Sequence, residues 1–163
     1  MELLWSVIYV GITGLISFYT GAILPRKWFN DRKFPFKPFK WEKNGKIYEK
    51  LNIRKWKGEI LDMSKIMTVI LPKKLPLSAK LKDVKTLIAE TCVAELIHWI
   101  LCVISVANYW IWKKSAEGIL IWGLCIIGNL PFILVQRYNR PHLQIIRDKM
   151  LEREKYRESG AEG

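Results

Sequence analysis

Three apolar runs set the limits on what this chain can become. Residues 3–24 form a stretch of 22 with no charged side chain, and residues 92–112 a stretch of 21 interrupted by Glu95 and His98. Residues 119–135 add a third of 17. A helix rises 1.5 Å per residue, so about 20 residues cross a hydrocarbon layer of ~30 Å; the third run stands at the lower limit. A shorter apolar stretch, 60–71, carries Asp62 and Lys65 and is too short to cross, so a helix or hairpin lying in the interface is expected there. Half of the residues are hydrophobic and 26% are charged, but the charges are segregated from the runs. That pattern excludes a disordered chain and a soluble core with charges spread along amphipathic helices. The expectation is an all-α integral membrane protein: one membrane domain over 1–163, with three transmembrane helices and a basic cytoplasmic cap containing interfacial segments. A secretory signal in place of the first span would need a basic start and a small-residue cleavage site. Met1-Glu2 and Ala22-Ile23-Leu24-Pro25-Arg26 supply neither, so a retained span is expected.

The net charge of +12 suits nucleic acid and membrane equally, and its placement decides between them. Of the 27 Lys and Arg, 18 lie in the loop 25–91 and 7 in the tail 136–163, against 2 between the second and third runs. The positive-inside rule then puts the loop and the C-terminus in the cytoplasm and the N-terminus outside, in a multi-pass protein of the cell membrane. Trp5, Trp110, Trp112 and Trp122 fall near span ends, as an interfacial aromatic belt requires.

Within the loop, Pro25–Pro38 reads as an extended surface segment, Lys40–Lys57 as an amphipathic aromatic stretch with a turn at Asn44-Gly45, and Lys80–Glu90 as a helical lead-in to the second span. The tail from Leu143 to Glu158 reads as a basic amphipathic helix on anionic lipid. Asn129 and Pro131 are expected to interrupt the third span, and Pro141 to break the segment after it.

Chemistry points to the second run. Glu95 and His98, three residues apart, share a helical face, and ionisable groups inside a membrane usually mark a functional site. A carboxylate beside an imidazole suits general-base work, because it fixes the tautomer and stabilises the imidazolium. The same two residues read as a structural pair tying spans together remain the alternative. Glu-x-x-His is half of a di-iron motif, but no second copy exists, so no metal is expected. No zinc-type Cys/His cluster occurs either, and Cys92, Cys102 and Cys125 read as buried thiols. Arg137, Tyr138, Asn139 and Arg140 follow the third span and could clamp a phosphate or a sugar, against the alternative of arginines snorkelling at a span end. Dinucleotide, P-loop, GxSxG and HxxxxD signatures are absent, and no nucleic-acid-binding module is present.

The blocks Phe39–Tyr48, Ile53–Lys57, Ile60–Asp62, Ala94–Ile100 and Val135–Pro141 resemble, in order and spacing, the glycosyl-4,4′-diaponeurosporenoate acyltransferases of staphyloxanthin synthesis. The resemblance runs from about Trp28 to Leu143. The family pattern leads us to expect Arg at position 142, where this chain has His142, which is therefore set aside as a site residue. The resemblance implies esterification of a fatty acyl chain onto the sugar hydroxyl of a glycosyl carotenoid or another glycolipid. It implies no bound cofactor, with an acyl-CoA or acyl-carrier-protein thioester as donor. On the residues themselves, His98 oriented by Glu95 would deprotonate the hydroxyl, while Arg137, Asn139 and Arg140 would hold donor phosphates or sugar. Trp41 or Trp56 would stack on the sugar, with Glu42, Arg54 and Asp62 at a polar entrance. The alternatives are an intramembrane hydrolase using the Glu95/His98 pair and a non-catalytic lipid-binding protein.

Overall fold

The computed structural model describes residues 2–57, 80–111 and 116–160; the 60–71 segment and Asp62 lie outside them. The described residues form helices and turns, without a strand. The elements are α1 (Glu2–Ile23), α2 (Ile53–Trp56), α3 (Leu81–Ile111) and α4 (Ala116–Gly160), with 3-10 turns at Arg26–Trp28 and Lys40–Leu51. Three of them, α1, α3 and α4, are long and apolar enough to cross a membrane. The third apolar run sits inside a helix of 45 residues, roughly 70 Å long, so its short apolar length does not limit the helix. The lead-in at Lys80–Glu90 belongs almost wholly to α3, and the tail continues α4 to Gly160.

Neither proline interrupts α4, contrary to the sequence expectation. Each proline removes one backbone donor, so α4 forgoes one i→i−4 hydrogen bond at each, and the helix runs on through both. Next to Pro131, the Asn129 amide donates to the Cys125 carbonyl at 2.7 Å. Next to Pro141, His142 Nδ1 donates to the Tyr138 carbonyl at 2.8 Å.

The chain divides into two compact units, one of Met1–Pro25 with Val93–Gln136 and one of Arg26–Cys92 with Arg137–Gly163. In the first, many large apolar side chains face outward while several polar ones are buried. Leu4, Val7, Leu15 and Ile16 of α1, Val103 of α3, and Leu120, Leu124 and Ile127 of α4 are exposed, whereas Ser6, Ser17, Glu95 and Ser105 are buried. Outward apolar faces with polar groups turned inward are what hydrocarbon as solvent selects. Gly21 lets α1 approach α3 closely, since a Cβ there would lie 3.3 Å from Ile97 Cγ1.

The second unit has a conventional core of Tyr48, Ile53, Val84, Ile88, Cys92 and Tyr138. Residues 26–38 form turns rather than the expected extended segment, with Phe29 donating to Arg26 O, Lys33 to Asn30 O and Phe36 to Lys33 O. Arginines of α4 hold these turns by their carbonyls: Arg137 donates to Pro35 O and Lys37 O, and Arg140 to Phe36 O at 2.7 Å. Such long-range grips override the local preference of a Pro-rich stretch. The turn expected at Asn44-Gly45 is present and also includes Lys43; all three residues have positive φ (48°, 55° and 87°). Gly45 suits that backbone, and a Cβ there would sit 3.2 Å from Tyr138 O.

Candidate active site

In the first unit, α3 presents His98 and α4 presents Asn129, and His98 Nδ1 lies 2.7 Å from Asn129 Oδ1. The geometry fixes the tautomer. The Asn129 NH2 donates to Cys125 O, a carbonyl that can only accept, so Oδ1 is the atom that faces the ring. Nδ1 must therefore carry the proton and donate, which leaves the lone pair of the neutral imidazole on Nε2. Phe132, one turn after Asn129, stacks on the ring with centroids 4.4 Å apart and planes 14° from parallel. A ring held by a hydrogen bond on one edge and an aromatic face has little freedom to turn.

Glu95 sits one turn before His98 on α3, is 1% exposed and has interactions of its own. The sequence expectation assigned ring orientation to Glu95, whereas the partner found on Nδ1 is Asn129. Sequence reasoning treated Asn129 only as a helix breaker. The available signal was an amide inside an apolar run, where an unpartnered polar group is costly. Asn129 also lines a small cavity of about 90 Å³ with Tyr9, Thr13, Leu101, Ser105 and Cys125.

The second unit holds most of the remaining expected site residues, and pairs two of them, Glu42 and Arg137. Arg137 grips its carboxylate through Nε at 2.5 Å and Nη2 at 2.9 Å, Tyr48 donates its hydroxyl, and the Phe39 amide donates at 2.6 Å. Burial by itself would raise the Glu42 carboxyl, but the hydrogen bonds from Arg137, Tyr48 and Phe39 together with the Arg137 charge outweigh it and hold the group below the ordinary range. Burial and the neighbouring Glu42 push the Tyr48 phenol far up.

Arg140 is 1% exposed and donates to Thr91 Oγ1 at 2.8 Å and Thr91 O at 2.9 Å, besides Phe36 O. Asn139 accepts from Lys57 Nζ at 3.0 Å, and the same ammonium lies 4.8 Å from the centre of the Tyr138 ring. Burial, then the charge of Arg54, holds Lys57 below its ordinary range. Of the residues expected to bind a substrate, Glu42, Arg137, Asn139 and Arg140 thus have polar groups engaged by protein. Trp41 differs: it is 58% exposed and stacked on Phe39. Trp56 is half-buried and donates to Leu51 O at 2.9 Å, while Arg54 is exposed.

The model of the glycosyl-4,4′-diaponeurosporenoate acyltransferase family matches residues 25–149. Two Staphylococcus aureus proteins with that name align over 147 residues, covering 88% of this chain and 84% of theirs. The protein of strain MRSA252 is 35% identical and that of strain N315 is 34% identical. No solved structure matches. The match takes in His98, Asn129, Glu42 and Arg137 alike, and at this identity and coverage the chain belongs to the glycosyl-4,4′-diaponeurosporenoate acyltransferase family.

Proposed function

We propose that this protein is a membrane O-acyltransferase that moves a fatty acyl group from an acyl thioester to a sugar hydroxyl of a glycosylated lipid. The acceptor class follows the name of its relatives, a glycosyl carotenoid. The observation that carries the reading is the His98–Asn129 pair, because it leaves a basic nitrogen on a fixed ring among apolar helices. In the reaction, His98 Nε2 takes the hydroxyl proton as the oxygen attacks the thioester carbonyl. The C–S bond then breaks, and the imidazolium returns the proton to the leaving thiolate. Asn129 keeps Nδ1–H pointed away from the reacting hydroxyl, and Glu95, one turn along α3, favours the imidazolium that forms.

For Trp41 the supporting feature is its exposed ring, suited to stacking on a sugar. We assign Arg137 and Arg140 to holding residues 35–42 and Thr91 in place, since those groups occupy their donors. The distribution of Lys and Arg supports an outside N-terminus, a cytoplasmic C-terminus and anionic lipids as neighbours.

The test is protein reconstituted with a glucosyl carotenoid ester and an acyl-CoA, the products being read by mass spectrometry. Formation of the sugar ester, lost in His98→Ala, is expected. Transfer that survives both His98→Ala and Glu95→Ala would overturn the mechanism. Fatty acid release without ester would identify a hydrolase, and lipid binding without turnover a non-catalytic protein.

A further inference from the structure

The second unit contains an open cleft of about 460 Å³ between the segment that begins at Arg26 and the first turns of α3. That volume is in the range of sites for small molecules, about 300–1,000 Å³. Its cations differ in how they are used. Arg26 is held by Glu90 through Nε at 2.7 Å and Nη2 at 3.0 Å. Arg147 is held by both oxygens of Asp31, at 2.8 and 3.0 Å, and Asp31 also accepts from Gln144. These pairs fix the walls and neutralise themselves. Lys27, Lys82 and Lys85 line the same cleft, are exposed, and have no ion-pair partner among the described residues.

The positions of two of these lysines are unfavourable for the helix. Lys82 and Lys85 lie three apart on one face of α3, where like charges repel, and in its first turns, where the helix dipole disfavours cations. A bound anion removes both penalties. The side-chain oxygen of Asn30 accepts from the Arg32 amide at 2.9 Å, which leaves its NH2 as a neutral donor in the lining.

We infer that this cleft binds a phosphate-bearing anion, with Lys27, Lys82 and Lys85 as its cations and Asn30 as an added donor. Ammonium groups from two chain segments lining one cleft suit phosphate charge better than a planar carboxylate fork. Identifying that phosphate with the nucleotide end of a soluble acyl donor rests on the proposed acyl transfer. The anion chemistry of the cleft does not, and a lipid headgroup offers the same chemistry.

The test uses the full chain in nanodiscs of phosphatidylcholine, titrated with adenosine 3′,5′-bisphosphate, against the triple variant Lys27→Ala/Lys82→Ala/Lys85→Ala. A charge-matched control, Lys40→Ala/Lys46→Ala/Lys50→Ala, separates the cleft from net charge. The cleft variant is expected to bind at least ten-fold more weakly and the control to change less than two-fold. Competition by pyrophosphate on the unaltered protein gives the same reading without any substitution.

A second arm measures phosphatidylglycerol retained through purification, by native mass spectrometry. If the bisphosphate fails to bind but the cleft variant alone loses phosphatidylglycerol, the phosphate site stands and its occupant is a lipid. Equal weakening in both triple variants, or no binding of either probe, would overturn the inference. Binding is read without turnover, so a protein that binds the bisphosphate but transfers no acyl group keeps this site and loses only the proposed reaction.

Discussion

The unit built from Met1–Pro25 and Val93–Gln136 turns many large apolar side chains outward and buries few polar groups, Glu95 among them, whereas the unit of Arg26–Cys92 and Arg137–Gly163 buries a hydrogen-bonded ion pair. The first holds His98 with a neutral amide, and the second holds Glu42 with a guanidinium, a phenol and a backbone amide. On the proposed mechanism, the difference separates chemistry from architecture. An ion pair in a low-dielectric interior needs its donors and acceptors satisfied, and around Arg137 and Glu42 they meet Tyr48, Phe39, Pro35 and Lys37. A neutral pair orients the imidazole and still leaves one ring nitrogen for a reacting proton. Substitution of His98 or Asn129 should therefore act on rate, and substitution of Arg137 or Glu42 on stability.

His98→Ala is the largest expected effect: a fall of roughly 10²–10⁴-fold in the initial rate of ester formation, the usual worth of a general base. The helical circular dichroism signal should stay unchanged, because the ring is only half-buried. A rate within a few-fold of the parent would remove His98 from the chemistry. Next in size is Arg137→Met, which leaves the Glu42 carboxylate buried without its cation and should cost about 3–5 kcal/mol in thermal or denaturant unfolding. Arg137→Met/Glu42→Leu should recover most of that loss, since replacing both members of a buried pair is often close to neutral.

The same pair sets an acid limit. The folded Glu42 carboxyl holds its proton less tightly than the unfolded one, so the unfolded chain binds more protons as pH falls. Its contribution to stability is complete above the ordinary value of 4.5 and is lost as pH drops through the lower folded value. Unfolding followed from pH 7 to pH 3 should show that limb in the parent and a flatter one in Arg137→Met.

The contrast also explains what could be read from the sequence. The three long helices followed from hydrocarbon thickness and apolar run length, which are properties of contiguous residues. His98 and Glu95 stood out because ionisable groups are rare inside such runs. The pairings did not stand out: Asn129 lies 31 residues from His98, and Arg137 lies 95 from Glu42, so both are made by tertiary structure. Proline misled twice for the same reason. Local preference read Pro25–Pro38 as extended and Pro131 and Pro141 as breaks. The arginines of α4 instead hold residues 35–37 by their carbonyls, long-range bonds that no local rule contains, and α4 runs on through both later prolines. Arg137 and Arg140 drew attention as a phosphate clamp because a sequence displays donors without showing which acceptors already hold them.

Two smaller effects probe the same division. Asn129→Leu removes the acceptor that fixes the ring and should lower the rate about 10–100-fold with little change in acceptor KM, because orientation and tautomer matter chiefly in the transition state. Asn129→Asp, which can accept from Nδ1–H, should restore much of the rate, and failure to do so would assign Asn129 a purely structural part.

Glycine supplies the last and smallest comparison, with opposite signs expected in the two units. Gly45 has φ +87°, and an added Cβ would lie 3.2 Å from Tyr138 O, so Gly45→Ala should destabilise by about 1–2 kcal/mol. Gly11 lies within α1 with nothing within 4 Å of the Cβ position, so Gly11→Ala should stabilise by up to ~1 kcal/mol through helix propensity alone. Unfolding midpoints measured side by side in one detergent decide it. If Gly11→Ala were the more damaging of the two, the open face of α1 would be a packing surface, and the division between a lipid-facing unit and an internally cross-linked one would fail at that helix.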